Sequence, residues 1–198
     1  MDNSKRVPWC AALLENPALE VHPVHLLRDP RALLRFWMLR YDTAKKVRRQ
    51  RIQHSRMAPA QALRLLTCSA RELYLRKWLI RNRQATDLLT GIGRSANYVT
   101  YHDLASRPEE TLRRLMPLLG LEYEPAQLRY GDADQRGTLK AEYQNASKAS
   151  AIQLDVRWQT DLSPDDAGAA TAYVPLKDYL AELGLAFGRD GLTTAKPA

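Results

Sequence analysis

The stretch Val24-His25-Leu26-Leu27-Arg28-Asp29-Pro30-Arg31-Ala32-Leu33-Leu34 decides how this chain is read. A short apolar run ends in Arg28, and Asp29-Pro30 then opens a helical pattern. Asp is a favoured N-cap and Pro is tolerated in a first helical turn, so the junction reads as strand, tight turn and helix. The apolar run reaches back to Val21, but Pro23 cannot donate to a sheet ladder and favours a strand start at Val24. Ligands of open parallel sheets sit beyond the carboxyl ends of the strands. Arg28 stands at such an end, where its planar fork can grip a phosphate beside a helix N-terminus. The plainer alternative is that Arg28 and Asp29 only cap and pair locally.

Working outward, residues 8–14 read as a short helix stopped by Asn16-Pro17. Helical spacing runs from 31 to 53 and again from Pro59 to about Leu89, where Gly91 and Gly93 break it. Residues 97–101 (NYVTY) are rich in strand formers. Residues 103–108 read as a loop, and Pro108-Glu109-Glu110 starts a helix that ends at Gly120. Residues 129–150 read as a long polar loop. Ser163-Pro164-Asp165-Asp166 signals a helix start, and residues 173–183 form the last helix before Gly184. Strands separated by helices imply a parallel α/β sheet covered by helices. One domain over residues 1–187 with a flexible tail over 188–198 is the expected organisation.

The 198 residues suit one domain, and 45% hydrophobic residues argue for a packed core rather than disorder. No apolar run approaches a membrane span, and residues 1–6 lead into no signal-type apolar segment. Cys10 and Cys68 are too few for a disulfide framework, so free thiols and a cytoplasmic location are expected. The net charge of +8 is uneven: residues 1–94 hold 19 Lys/Arg against 7 Asp/Glu, and residues 95–198 hold 11 against 15. The basic half suggests an anionic partner.

Other motifs carry less. Asp2-Asn3-Ser4-Lys5 places polar side chains just ahead of a helix, where they either line the same cleft or form a solvated terminus. Gly91-Ile92-Gly93-Arg94-Ser95 looks like a phosphate loop but follows a helix and precedes a strand, the reverse of what such a loop requires. The basic run at residues 45–56 (KKVRRQRIQHSR) lacks aromatic interleaving and any DNA-binding motif. A basic surface serving an anionic cofactor or acceptor is the preferred reading, with a nucleic-acid binder as a remote alternative. His22, His25, His54 and His102 have no metal-ligand spacing, so no metal is expected.

Four segments in order resemble the bacterial sulfotransferases that use 3′-phosphoadenosine 5′-phosphosulfate (PAPS). VHLLRDPRALL resembles the family's 3′-phosphate strand and turn, and DNSK (residues 2–5) its D-S-S-K element. YVTYHDLASRPEETLRRLMPLLGLEYEP (residues 98–125) resembles the Y-E-D-L to F-L-G-L segment, with His102 in place of Glu. NASKASAIQLDVRWQTDLSPDD (residues 145–166) resembles the late loop and the W-x-x-x-L helix.

The resemblance implies a P-loop NTPase-like parallel sheet flanked by helices and sulfuryl transfer from PAPS to a hydroxyl or amine acceptor. By the same resemblance, Arg28 holds the 3′-phosphate, Asn145 and Lys148 lie in the loop that covers it, and Ser4 and Lys5 lie by the transferred group. Asp2 is a candidate base. Two departures stand out. The family's glycine-rich 5′-phosphosulfate loop and first strand should precede DNSK, so the chain reads as the C-terminal two-thirds of such a domain. Phe36 occupies the position of a usual Ser, with Arg35 beside it as the substitute phosphate ligand. An inactive nucleotide-binding relative is the alternative. The expected partners are the nucleotide donor and the acceptor, with no specific nucleic acid and no membrane; exposed sheet edges imply self-association.

Overall fold

The computed structural model describes residues 7–94, 97–129 and 154–194. Helix α1 (Val7–Leu14) leads to strand β1 (His25–Leu27), shorter than the apolar run that announces it. Asp29 caps α2 (Pro30–Arg40) through its side chain, which accepts from the Arg31 backbone N–H. The single helical stretch expected over 31–53 is two helices. Thr43 accepts from the Lys46 N–H and starts α3 (Ala44–Met57) afresh. A hydroxyl three residues ahead of a free N–H offers the backbone a new cap, and the periodicity hides that restart.

The stretch from Pro59 divides for the same reason. It forms a 3₁₀ turn (Pro59–Gln61), α4 (Ala62–Thr67) and α5 (Ala70–Gly91), with Ser69 accepting from the Glu72 N–H at the restart. Strand β2 (Tyr98–Thr100) runs straight into α6 (Tyr101–Ser106), where a loop is expected from the sequence. Thr100 is the cause: its Oγ1 accepts from the Asp103 N–H at 2.9 Å and donates to the Asp103 carboxylate at 2.7 Å. Helix α7 (Pro108–Leu118) closes at Gly120, whose φ of 70° is the left-handed conformation glycine takes without strain.

After a 3₁₀ turn (Pro125–Leu128) come α8 (Trp158–Asp161), α9 (Pro164–Ala172) and α10 (Val174–Glu182). Strands β3 (Leu185–Phe187) and β4 (Leu192–Thr194) form an antiparallel hairpin, Leu185 facing Thr194. This corrects the expected flexible tail as far as residue 194: Leu192 is fully packed in the core, and the backbone N–H of Gly188 donates to the Gly191 carbonyl. Two apolar residues around a tight turn outweigh a composition rich in Gly and Thr.

Strands β1 and β2 pair in parallel, His25 against Tyr98 and Leu27 against Thr100. Among the described residues that sheet has two strands, so each keeps an unpaired edge. Helix α5 is the hub of the core, packed by α2, α10 and β1. Its Trp78 is buried edge-on against Tyr179 of α10, ring centroids 5.8 Å apart. The deepest feature is polar. Lys77 is only 2% exposed; its Nζ donates to Gln50 Oε1 at 2.8 Å and lies 4.2 Å from the Trp37 ring centroid and 4.8 Å from that of Tyr41. Burial pulls the Lys77 ammonium down to about 7, and Arg81 and Arg40 push the same way. His54, fully buried nearby on α3, is drawn down to about 4, again chiefly by burial.

Candidate functional site

Strand β1 delivers Arg28 to the start of α2, and the fold fixes it from several sides. Its carbonyl accepts from Trp78 Nε1 at 2.9 Å. Its guanidinium lies 4.8 Å from the Tyr101 ring centroid, and its Nη2 donates to Asp155 Oδ2 at 2.9 Å. Its Nε is buried and has no hydrogen-bond partner among the described residues. A guanidinium grips an oxyanion through two parallel N–H groups, and the buried Nε leaves one donor of the Arg28 fork unused among the described residues.

Arg28 opens on a cleft of about 190 Å³ whose walls are Ala32, Arg35 and Phe36 from α2 and Asp155, Arg157 and Trp158 from the segment leading into α8. Asp155 is the one carboxylate among these lining residues. Arg157 donates to it through Nε and Nη2, both at 2.8 Å, and the Asp155 backbone N–H donates to the Tyr101 hydroxyl at 3.0 Å. The Arg157 hydrogen bonds, with the charge of Arg28 behind them, hold the Asp155 carboxyl well below the usual carboxylate range. Asp155 therefore stays ionised and acts as an internal counter-ion to Arg28 and Arg157. Arg35 is paired with Asp161 of α8, its Nε donating at 2.7 Å, and this contact lowers the Asp161 pKa. Three arginines against one lining carboxylate leave the cleft cationic. Phe36, 45% exposed, adds an apolar ring to the wall.

Arg31 lies between these two arginines in sequence and plays a different part. It is buried, with Nη2 at 2.8 Å and Nε at 3.0 Å from Asp29 oxygens, and donates to the Gly188 carbonyl at 2.7 Å. Its guanidinium lies 4.0 Å from the Trp158 ring centroid and 5.1 Å from that of Phe187. It pins the β3–β4 hairpin and α8 to the start of α2. Asp29 thus pairs with Arg31, while Arg28 is left for the cleft.

Of the residues singled out from the sequence, the structure brings Arg28 and Arg35 to one cleft. Asp2, Ser4, Lys5, Asn145 and Lys148 lie outside the described residues. Sequence reasoning assigned no role to Asp155, Arg157 or Trp158. Their signal was the D-x-R-W cluster just before a helix, which periodicity alone does not separate from ordinary surface charge. Among the described residues no cluster of His, Cys, Asp and Glu could hold a metal ion, and no helix is long and apolar enough to cross a membrane. No protein-family model, curated protein or solved structure matches the chain.

Proposed function

We propose that the chain is a sulfotransferase-type domain that seats the 3′-phosphate of PAPS at Arg28 and moves the sulfuryl group to a hydroxyl or amine. The observation that supports this best is the convergence of Arg28, Arg35 and Arg157 on one cleft at the carboxyl end of a parallel strand. The charge of the three arginines lining the cleft suits a phosphate, and the Phe36 ring offers an apolar surface to a nucleobase.

In the reaction, the acceptor oxygen or nitrogen attacks sulfur, the bond from sulfur to the 5′-phosphate oxygen breaks, and adenosine 3′,5′-bisphosphate departs. The acceptor's proton passes to a base, the role the resemblance leaves to Asp2, while Ser4 and Lys5 stabilise the transferred group. Such chemistry rests on positioning and on charge stabilisation. Arg28 and Arg157 contribute to the first by fixing the donor's nucleotide end.

The test is transfer of radiolabelled sulfuryl from PAPS to a panel of phenols, amines and sugars. Labelled product that disappears with Arg28→Ala supports the proposal. Absence of transfer with retained binding of adenosine 3′,5′-bisphosphate favours the second reading, an inactive nucleotide-binding relative. Two features favour that reading: Phe36 in place of a hydroxyl, and Asp155 already occupying part of the Arg28 fork.

A further inference from the structure

Half of the described arginines pair with carboxylates, those of the cleft included, whereas no arginine on the outer face of α3 does so among the described residues. This helix carries six Lys and Arg and no acidic residue. Lys46 pairs with Asp42, and Arg51 donates to the Leu66 carbonyl, tying α3 to α4. Lys45, Arg48, Arg49 and Arg56 are exposed and have no carboxylate partner among the described residues. Gln50 and His54 occupy the opposite, buried face. Four unpaired cations on one face of a helix repel one another, and such a face is stabilised by an external anion.

The same hairpin exposes apolar side chains. Leu63 is 78% exposed and Leu66 45%, on α4, and Met57 at the end of α3 is exposed as well. Leu63 and Leu66 are three apart and so share a helix face, while Leu65 between them is buried in the core. Exposed leucines beside a cationic helix have little use against a phosphodiester backbone, and the hairpin offers no exposed aromatic ring on which bases could stack. A second copy of the chain would bring like charges together. An acidic bilayer surface satisfies both features, since lipid phosphates neutralise the cations and the leucines enter the boundary between headgroups and acyl chains.

We infer that the outer face of the α3–α4 hairpin docks the protein on an anionic lipid surface, as a peripheral contact without a span. This inference is independent of the proposed activity, because none of its residues lines the Arg28 cleft. The experiment is co-sedimentation of the full chain with vesicles of phosphatidylcholine alone and of phosphatidylcholine with about one-third phosphatidylglycerol. Binding is expected only to the anionic vesicles and is expected to weaken with salt. The double substitution Arg48→Gln/Arg49→Gln should lower the partition at least about tenfold, and Leu63→Ser/Leu66→Ser several-fold. Both variants change exposed residues, and an unchanged thermal melt confirms that they fold; Arg28→Ala should bind vesicles like the parent. Equal binding to both vesicle types, no binding, or full binding by the leucine variant would overturn the inference. So would displacement from vesicles by duplex DNA or single-stranded RNA, which would point to a nucleic acid instead.

Discussion

Arg28 and Asp155, 127 residues apart in sequence, share a 2.9 Å ion pair at the mouth of a cationic cleft. The carboxylate sits where an anionic ligand of Arg28 would place an oxygen. Any phosphate that binds must share or displace it. Asp155→Asn removes that competition while keeping the side-chain shape. It should tighten binding of a 3′-phosphorylated nucleotide by about tenfold, the scale of one charge-assisted hydrogen bond. Calorimetric titration at low ionic strength checks this; weaker binding by the variant would make Asp155 a positioning group for Arg28 rather than a competitor.

Arg31 and Arg35 separate structure from site. Arg31→Ala strands the buried Asp29 carboxylate and frees the β3–β4 hairpin, so it should cost about 3 kcal/mol or more of stability. Arg35→Ala removes a partly exposed pair and should cost under about 1 kcal/mol while weakening nucleotide binding. Chemical denaturation of both variants tests the contrast. Similar losses would mean that Arg31 is not the pin its contacts describe.

Stability should rise with pH across neutrality. The Lys77 ammonium ionises near 7 in the fold against an ordinary 10.5, so between those values the unfolded chain binds a proton that the fold has released. More protons in the unfolded state mean stability that increases with pH, by up to about 1.4 kcal/mol per unit. His54, lowered from 6.5 to about 4, acts in the same direction between those values. Lys77→Met should flatten the slope from pH 7 to 9, and it should raise stability at pH 6 by on the order of 1–2 kcal/mol. Urea unfolding at several pH values provides the measurement, and a variant with the parent's slope would show that Lys77 does not titrate in this window.

Among the described residues β1 pairs only with β2, and it carries Leu26, 51% exposed, with Val24 exposed beside it. A strand edge without a partner among the described residues, flanked by exposed apolar side chains, invites association. Sedimentation velocity should show concentration-dependent self-association that Leu26→Lys suppresses. A sharply monomeric parent at all concentrations would remove this expectation.

Much of the fold was legible in punctuation. Asp29-Pro30, Pro108 and Ser163-Pro164 open helices where the sequence placed them, and Gly120 and Gly184 close two with positive φ. The hidden features depend on side chains competing for backbone groups or on contacts far apart in sequence. Thr43 and Ser69 each restart a helix inside one unbroken apolar period, and Thr100 turns an expected loop into α6. The site was half legible for the same reason. Arg28 announced itself at the end of a strand, but Asp155 and Arg157 reach it only through the tertiary fold. Nothing in the spacing of Arg28, Arg31 and Arg35 tells which of the three is buried.

The most direct measurement is calorimetric binding of adenosine 3′,5′-bisphosphate and of adenosine 5′-monophosphate to the chain and to its Arg28→Ala variant. A phosphate seat at Arg28 requires that the bisphosphate bind at least about tenfold more tightly than the monophosphate. It also requires that Arg28→Ala erase that preference without lowering the thermal melt. Equal affinities for the two nucleotides, or a preference that survives the loss of Arg28, would contradict it.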